Sequence, residues 1–448
     1  MRVPARPPNM KDLTKRILVG RDPERVMKLF QNRKLVDAKG RYLHWDEMRR
    51  KVTDDDLSHE ESWFATRMSR HSAAQITPLV DAHQRPFTYC EPPALRAMLR
   101  FVDLNAGGHL GTEKESLTPA DGSRYFTRSL AEEPFASSFI EGAATTRQRA
   151  KQLIFDQRQP RTRDELMVLN NYYGMEYIKT IVSEPLTVEA ILETHRIIAK
   201  DTLDNPDDVG RLRESDDVQV VDDTSNEILH DPPHHGDLRK RLQRLCDFAN
   251  ATDAPENFVH PIVRAIILHF MLAYEHPFAD GNGRTARALF YWSALRAGYW
   301  LIEYVSISSV IAEAKIAYGR AFLYTETDDN DLTYFLLHQA RVLQTAIERL
   351  MKYAERRKKE VSAFQSAIDD GDEFNRRQSI LLNDAAKQRL TFTTIAEHEK
   401  RHKVSRLTAR SDLEELVALG LLRKKKVGRQ NRYTPVPDLV TKLAARSA

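Results

Sequence analysis

A chain of 448 residues exceeds what one ordinary core can organise, so about two to four domains are expected. Hydrophobic residues make up 41% of it, which excludes a disordered chain, and 68 basic against 64 acidic residues exclude a uniform polycation, so any nucleic-acid surface has to be local. The two cysteines, Cys90 and Cys246, are far apart; they exclude a disulfide framework and a thiolate zinc site and fit a reducing cytoplasm.

The opening Met1-Arg2-Val3-Pro4 has no apolar stretch, so no signal peptide is expected. Residues 1–125 read as an N-terminal helical region, with helix starts at His44-Trp45-Asp46-Glu47-Met48 and Pro92-Pro93-Ala94-Leu95-Arg96. Asn105-Ala106-Gly107-Gly108 reads as a loop, and no chemistry-bearing cluster occurs in this region. Pro185-Leu186-Thr187-Val188-Glu189 opens a helix that runs to about Lys200. Gly210 to Asp222 breaks the helical pattern, and Val218-Gln219-Val220-Val221 looks extended, as in a short hairpin or flap. Pro232-Pro233 ends it, and a helix follows from about Asp237 to Asn250. Ile262, Val263, Ile266, Ile267, Phe270, Met271 and Tyr274 recur at three- and four-residue steps, the mark of an amphipathic or buried helix. Proline disfavours helix in the residue before it, so this helix should end at Glu275, ahead of Pro277. The apolar segment from Ala265 to Tyr274, interrupted by His269, is too short to span a bilayer. Arg284 to Leu295, Ser309 to Tyr318 and Leu332 to Arg349 are expected to be helical, with the charged run from Glu355 to Glu360 leading out of the domain. A further domain is expected over 372–448.

Between the two central helices lies His276-Pro277-Phe278-Ala279-Asp280-Gly281-Asn282-Gly283-Arg284-Thr285-Ala286-Arg287. Gly281 and Gly283 accept positive φ and let the backbone approach a ligand, and Asn282 also tolerates the left-handed region. Their N–H groups would form an anion nest at a helix start, whose dipole adds to the attraction for phosphate. Arg284 and Arg287 share a helix face and can grip successive phosphates. Asp280 supplies the single carboxylate with which Mg²⁺ is usually held beside phosphate oxygens, and His276 can accept a proton near neutral pH. The bland alternative, a helix-entry turn with solvated arginines, does not account for base, carboxylate, nest and spaced arginines in this order. No Walker loop occurs.

This segment resembles the motif of the Fic family, His-Pro-Phe-x-Asp/Glu-Gly-Asn-Gly-Arg-x-x-Arg, at every fixed position. The resemblance covers roughly residues 125–345 and implies a mainly α fold. In that arrangement a helical Fic catalytic domain (126–350) carries a short β-hairpin flap. Members commonly transfer AMP from ATP to a Ser, Thr or Tyr hydroxyl of a protein. The resemblance implies His276 as base, Asp280 as Mg²⁺ ligand, Phe278 as packing anchor, and Gly281, Asn282 and Gly283 as phosphate cradle, with Asn282 near the α-phosphate. Arg284 and Arg287 would hold the β- and γ-phosphates, Val218 to Val221, with Val220, would align the target side chain, and Tyr318 and Tyr324 would pack near the base. Ser137-Ser138-Phe139-Ile140-Glu141-Gly142 resembles the family's inhibitory motif, on a helix near 135–150. Ser137 and Glu141 are its residues, and Glu141 would occupy the Arg287 guanidinium that should hold the γ-phosphate. The same residues leave removal of AMP from a modified target open, and another donor nucleotide such as UTP or GTP.

Phe374 to Leu390, Phe392 to His402 and Val404 to Leu419 read as three helices, followed by a basic two-stranded wing turning at Gly428. This order resembles a winged helix. Ser405, Arg406, Thr408, Arg410 and Ser411 would line a recognition helix for DNA, although such modules also dock proteins and mediate dimers. A nucleotide-responsive DNA-binding regulator is therefore the competing reading. The expected partners are a protein substrate, the chain itself included, a second copy in a homodimer, and DNA, with no membrane. His398-Glu399-Lys400-Arg401-His402 spells a zinc-protease signature, but flanking positive charge opposes the metal. His234, His235 and His260 are expected as loop or helix-cap groups.

Overall fold

The computed structural model describes the chain apart from residues 1, 20–22, 32–33, 52–56, 108–126, 223–225, 253, 256–257, 370–373, 387–389, 391, 428–429, 437–438, 440–441 and 443–448, and apart from the side chains of 357–369. Met1, Gly108, the boundaries at 125 and 372, part of the charged run to Glu360 and the wing turn at Gly428 thus lie outside the described residues. The chain divides into two units, Met1–Leu110 with Ser129–Ile347, and Gly111–Arg128 with Glu348–Ala448. Both are mainly helical, with three short antiparallel hairpins among the described residues.

In the first unit, α1 (Met10–Leu18) and α2 (Pro23–Gln31) pack against α4 (His59–Ala73), with α3 (Trp45–Met48) beside it. Leu13, Ile17, Leu29, Trp63 and Phe64 form their shared core. Ser58 and Glu61 build a capping box that starts α4, satisfying two helix-end donors reciprocally. A hairpin then interrupts the helical region expected over 1–125: β1 (Gln75–Val80) pairs with β2 (Pro86–Tyr89). Pro78 obscures the strand alternation in the sequence. The turn is made by Asp81, whose carboxylate accepts from His83 N–H and Arg85 N–H, both at 2.8 Å. α5 (Pro93–Ala106) extends through the expected loop at 105–106, where Asn105 Nδ2 donates to Phe101 O at 2.7 Å and stays within the helix.

The remaining helices of this unit include one that is buried along its length. They are α6 (Glu132–Ile140), α7 (Arg147–Phe155), α8 (Arg163–Thr180), α9 (Val188–Ala199), α10 (Leu238–Asn250), α11 (Pro261–Glu275), α12 (Asn282–Arg296), α13 (Ile307–Glu313), α14 (Lys315–Thr327) and α15 (Thr333–Asp369), whose residues from Glu348 on belong to the second unit. α11 is buried on all sides, as a helix apolar all round must be. It packs on α12 and α10, and α12 also packs on α8 and α9. The inhibitory-type helix expected near 135–150 is two helices, α6 and α7, separated by a turn at Glu141-Gly142 where Gly142 has φ +94°. The single helix expected over 309–318 is broken at Ala314, which ends α13 and begins α14. The flap hairpin is short: β3 (Val220–Val221) pairs with β4 (Ile228–His230), and Val218 lies outside the ladder.

The second unit has its own core. α16 (Arg376–Ala386), α17 (Ile395–His402), α18 (Arg406–Ala418) and the hairpin of β5 (Leu422–Val427) and β6 (Gln430–Pro435) bury Leu381, Leu382, Leu413, Leu416, Leu422 and Tyr433. Ser405 caps α18 by accepting from Thr408 N–H at 3.1 Å. His398 faces Asp412 at 3.1 Å, and Arg377 Nε holds the same carboxylate at 2.7 Å.

Candidate active site

The 276–287 segment is a hinge between two buried helices, and each of its bends has an identifiable cause. His276 ends α11 in the left-handed conformation (φ 44°), its N–H returning to Leu272 O at 3.1 Å. Arg213 fixes the exit. Its backbone N–H donates to Pro277 O at 2.9 Å, its Nε to His276 O at 3.0 Å, and its Nη2 to Pro233 O. Asn282 closes the loop on itself, accepting from Phe278 N–H at 2.9 Å and donating to Phe278 O at 2.8 Å. Its side chain is thereby committed to loop structure. Gly281, with φ 83°, caps α12. His195 of α9 stacks on the Phe278 ring (3.7 Å between centroids, 3° between planes). It accepts from Gly210 N–H at Nδ1 (3.1 Å) and donates from Nε2 to Asp280 O (2.9 Å). Those partners define its tautomer, and burial holds its pKa down at about 4, so it remains neutral.

A cavity of about 260 Å³ opens onto this loop. His276, Asn282, Gly283 and Arg287 line it from the loop side, Ile140 and Glu141 from the end of α6, Val220, Leu229 and His230 from the flap, and Tyr318, Phe322 and Glu326 from α14. Asp280, Gly281, Arg284 and Val218 are not part of its lining. The Asp280 carboxylate stands half-exposed, accepting from Gly281 N–H at 2.5 Å, with Arg284 Nη2 at 3.6 Å. Arg284 is buried. Its Nη1 donates to Ile198 O at 3.3 Å, whereas Nε and Nη2 have no hydrogen-bond acceptor. Two buried guanidinium donors of this kind are an unmet demand for an anion.

Glu141 reaches into the nest. Its Oε1 accepts from Arg287 Nη2 at 2.7 Å, and Arg287 also donates to Ser137 Oγ (Nε, 2.9 Å) and Ser137 O (Nη2, 3.0 Å). The same Oε1 lies so close to Gly283 that a Cβ there would be 2.3 Å from it. Glu141 therefore takes both the guanidinium and the space above the glycine backbone.

His276 Nδ1 donates to Ala273 O at 3.2 Å, which leaves Nε2 as the acceptor atom of the ring. Burial lowers its pKa to about 4, so the ring is neutral at physiological pH and Nε2 carries a lone pair. His230 is the opposite case. Its two nitrogens face Glu326 Oε2 and Tyr274 O, each at 2.7 Å, an arrangement satisfied in full by the doubly protonated ring. Burial depresses its pKa, but Glu326 and the Tyr274 carbonyl outweigh that and raise it. These two contacts tie the flap to α11 and α14. Tyr318 lines the cavity, with His269 Nε2 at 2.8 Å from its hydroxyl, whereas Tyr324 stacks on His44 of the N-terminal region, 4.3 Å between centroids.

His195, Arg213 and His230 are site-building residues that the sequence reading passed over. Each acts through contacts dozens of residues away, and Gly210 three positions before Arg213 was the nearest local sign. Asp216, His234 and His235 bring one possible metal-ligand atom each within 4.8 Å of one another. His234 Nδ1, however, accepts from Gly236 N–H at 3.0 Å, and Arg213 Nη1 holds Asp216 Oδ1 at 2.9 Å. The histidine thus serves as a turn cap, and the adjacent guanidinium opposes a cation. His260 likewise caps α11, accepting from Ile262 N–H at 3.2 Å.

Residues 185–294, which span α9, the flap, α10, α11, the loop and most of α12, match the model of the Fic/DOC family. The chain contains a Fic domain. Over 129 residues it is 37% identical to a protein adenylyltransferase Fic of Nematostella vectensis, covering 28% of this chain and 27% of that protein. Over 137 residues it is 32% identical to a protein adenylyltransferase Fic of Drosophila willistoni, covering 30% and 24%. It thus spans about a quarter of the length of these curated relatives. Among solved structures it is similar to a Fic family protein from Desulfovibrio desulfuricans G20 (TM-score 0.47, 20% identity, 77% of this chain and 96% of that one). Fic-1 residues 134–508 from C. elegans give a TM-score of 0.45 at 20% identity, covering 59% and 72%. The Fic domain carries the whole 276–287 loop.

Proposed function

We propose that this chain is a protein adenylyltransferase, moving AMP from ATP to a Ser, Thr or Tyr hydroxyl of a protein, and that Glu141 restrains it. The observation that carries the reading is the convergence of a neutral His276 and an amide-lined loop on one cavity, with Glu141 seated on Arg287 in that cavity. His276 Nε2 takes the hydroxyl proton as the oxygen bonds to the α-phosphorus. The bond from that phosphorus to the bridging oxygen breaks, and pyrophosphate leaves with the electron pair. The Gly283 backbone and the start of α12 hold phosphate, with Arg284 and Arg287 on the outer phosphates. Asp280 offers a half-exposed carboxylate with an oxygen not committed to Gly281, which fits Mg²⁺ held mainly by phosphate oxygens. The metal, when bound, neutralises phosphate charge. Val220 at the flap edge would pair with the target backbone and orient its hydroxyl.

Full-length protein incubated with labelled ATP tests the reading. Glu141→Gly is expected to raise self-labelling at least ten-fold, and His276→Ala in that background to abolish it. Equal labelling with and without Glu141 would remove the restraint, and labelling that persists without His276 would remove its role as base.

Removal of AMP has one supporting observation, Glu141 and His276 lining the same cavity, where the carboxylate would orient a water. Release of AMP from a pre-labelled target by wild type and not by Glu141→Gly would favour it. For the second unit the proposal is a winged helix whose exposed Arg406, Arg410, Arg423, Lys425 and Lys426 contact DNA phosphates. Duplex binding that weakens as salt rises supports this, and no binding at low salt removes it. Among the described residues no helix is long and apolar enough to cross a membrane.

A further inference from the structure

The end of α6 that carries Glu141 is held from outside by a side chain the family-like motifs do not include. Lys315 is the first residue of α14, where the helix's own dipole disfavours a cation. Its ammonium turns away from that helix and crosses to α6, donating to Ile140 O at 3.1 Å and Phe139 O at 3.3 Å. These are two carbonyls at the C-terminal end of α6, where orphan acceptors and the negative dipole end favour a lysine. The ammonium also sits 5.0 Å from the Phe139 ring centroid, and Phe139 stacks on Phe135 at 6.1 Å. The break at Ala314 sets this up. Its φ −142° and ψ 49° stop α13 and restart the chain as α14, pointing Lys315 across.

At the start of α6, Glu132 pairs on the surface with Arg147 Nε at 3.0 Å and Lys151 Nζ at 3.2 Å, and the remaining polar attachments along the helix are buried. Glu133 accepts from Ser306 Oγ (2.9 Å), Ser308 N–H (3.0 Å) and Ser308 Oγ (2.5 Å) at the start of α13. Ser137 is held by Arg287, and Ser138 Oγ donates to Met167 O at 3.2 Å. Lys315 is exposed, and it grips the two residues immediately before Glu141. We infer that Lys315 is a positioning residue for the Glu141 carboxylate: its ammonium latches the last turn of α6, and losing that charge frees Glu141 from Arg287 while the rest of α6 stays docked. This inference deepens the proposed restraint and rests on it for its catalytic consequence, but the latch itself is a property of the helix end.

The test is hydrogen exchange on the full-length protein, read at the amides of Gly142 and Ala143, which bond Phe139 O and Ser138 O. Lys315→Ala should raise exchange there roughly five-fold, leave the amides of α11 unchanged, and be restored by Lys315→Arg. Unchanged exchange at these two amides overturns the latch. In parallel, labelled ATP should mark the Lys315→Ala protein more than wild type, with no additional gain when Lys315→Ala is placed in Glu141→Gly. If Glu141→Gly labels itself and Lys315→Ala does not, Lys315 does not position Glu141. If exchange rises but neither variant transfers AMP, the latch stands and the transferase reading fails.

Discussion

Gly283 shows what a missing Cβ permits. A methyl group there would meet Glu141 Oε1 at 2.3 Å and Arg287 Nη1 at 3.2 Å. Gly283 lies in the first turn of α12, so alanine suits the helix, and the atom in its way is the tip of a flexible side chain. Gly283→Ala should therefore fold, with its melting temperature within a few degrees of wild type. It should push Glu141 aside and also fill the space proposed for phosphate. The expected outcome is a protein that neither keeps Glu141 on Arg287 nor labels itself, and that stays silent when Glu141→Gly is added. Strong labelling by Gly283→Ala would show that the loop backbone is not a phosphate cradle. The charge logic of this loop is local and was legible in the sequence, since twelve consecutive positions carry it. What was not legible is that Asn282 spends its amide on Phe278 and that Arg284 is buried.

At the scale of elements, strongly periodic helices could be read and the joints between them could not. The expected end of α11 at Glu275 and the helix opening within 185–189 agree with the structure, which starts α9 at Val188 behind the Thr187 cap, because proline and cap chemistry act on neighbours. The hairpin at 75–89 was hidden by Pro78, and the break at Ala314 has no local punctuation. The flap depends on packing still less visible in sequence, since His230 holds it to Tyr274 and Glu326, 44 and 96 residues away. His230→Leu keeps bulk and removes both donors, leaving the Glu326 carboxylate and the Tyr274 carbonyl without that partner. In the Glu141→Gly background it should raise the KM for a protein target several-fold while changing the KM for ATP little, if β3 and β4 align the target as proposed. Equal increases in both would place the defect in the nucleotide loop instead.

For the whole molecule, buried histidines set the response to acid. His44 is held down at about 3, and His195, His276 and His338 at about 4, each chiefly by burial. Unfolded, each binds its proton near pH 6.5, so between that value and about 4 the unfolded chain holds more protons and stability falls with pH. Each contributes about 1.4 kcal/mol per pH unit in this window. Asp328, pushed up to about 6 by burial, works in the opposite direction below that value. His230, with its raised pKa, stabilises fully below pH 6.5 and loses that contribution only as pH rises through its folded value. The balance favours the four neutral histidines, so the melting temperature should drop by many degrees from pH 7 to pH 5. A flat profile across that range would mean that these rings take up protons without unfolding.

The carboxylate that fills the Arg287 site is supplied by the same chain, 146 residues earlier. Dilution cannot release it, because its local concentration is set by the fold and not by the number of molecules. Synthesis order adds a second consequence. Glu141 leaves the ribosome well before the glycine loop is translated, so a growing chain completes the 276–287 loop with the carboxylate that occupies it already made.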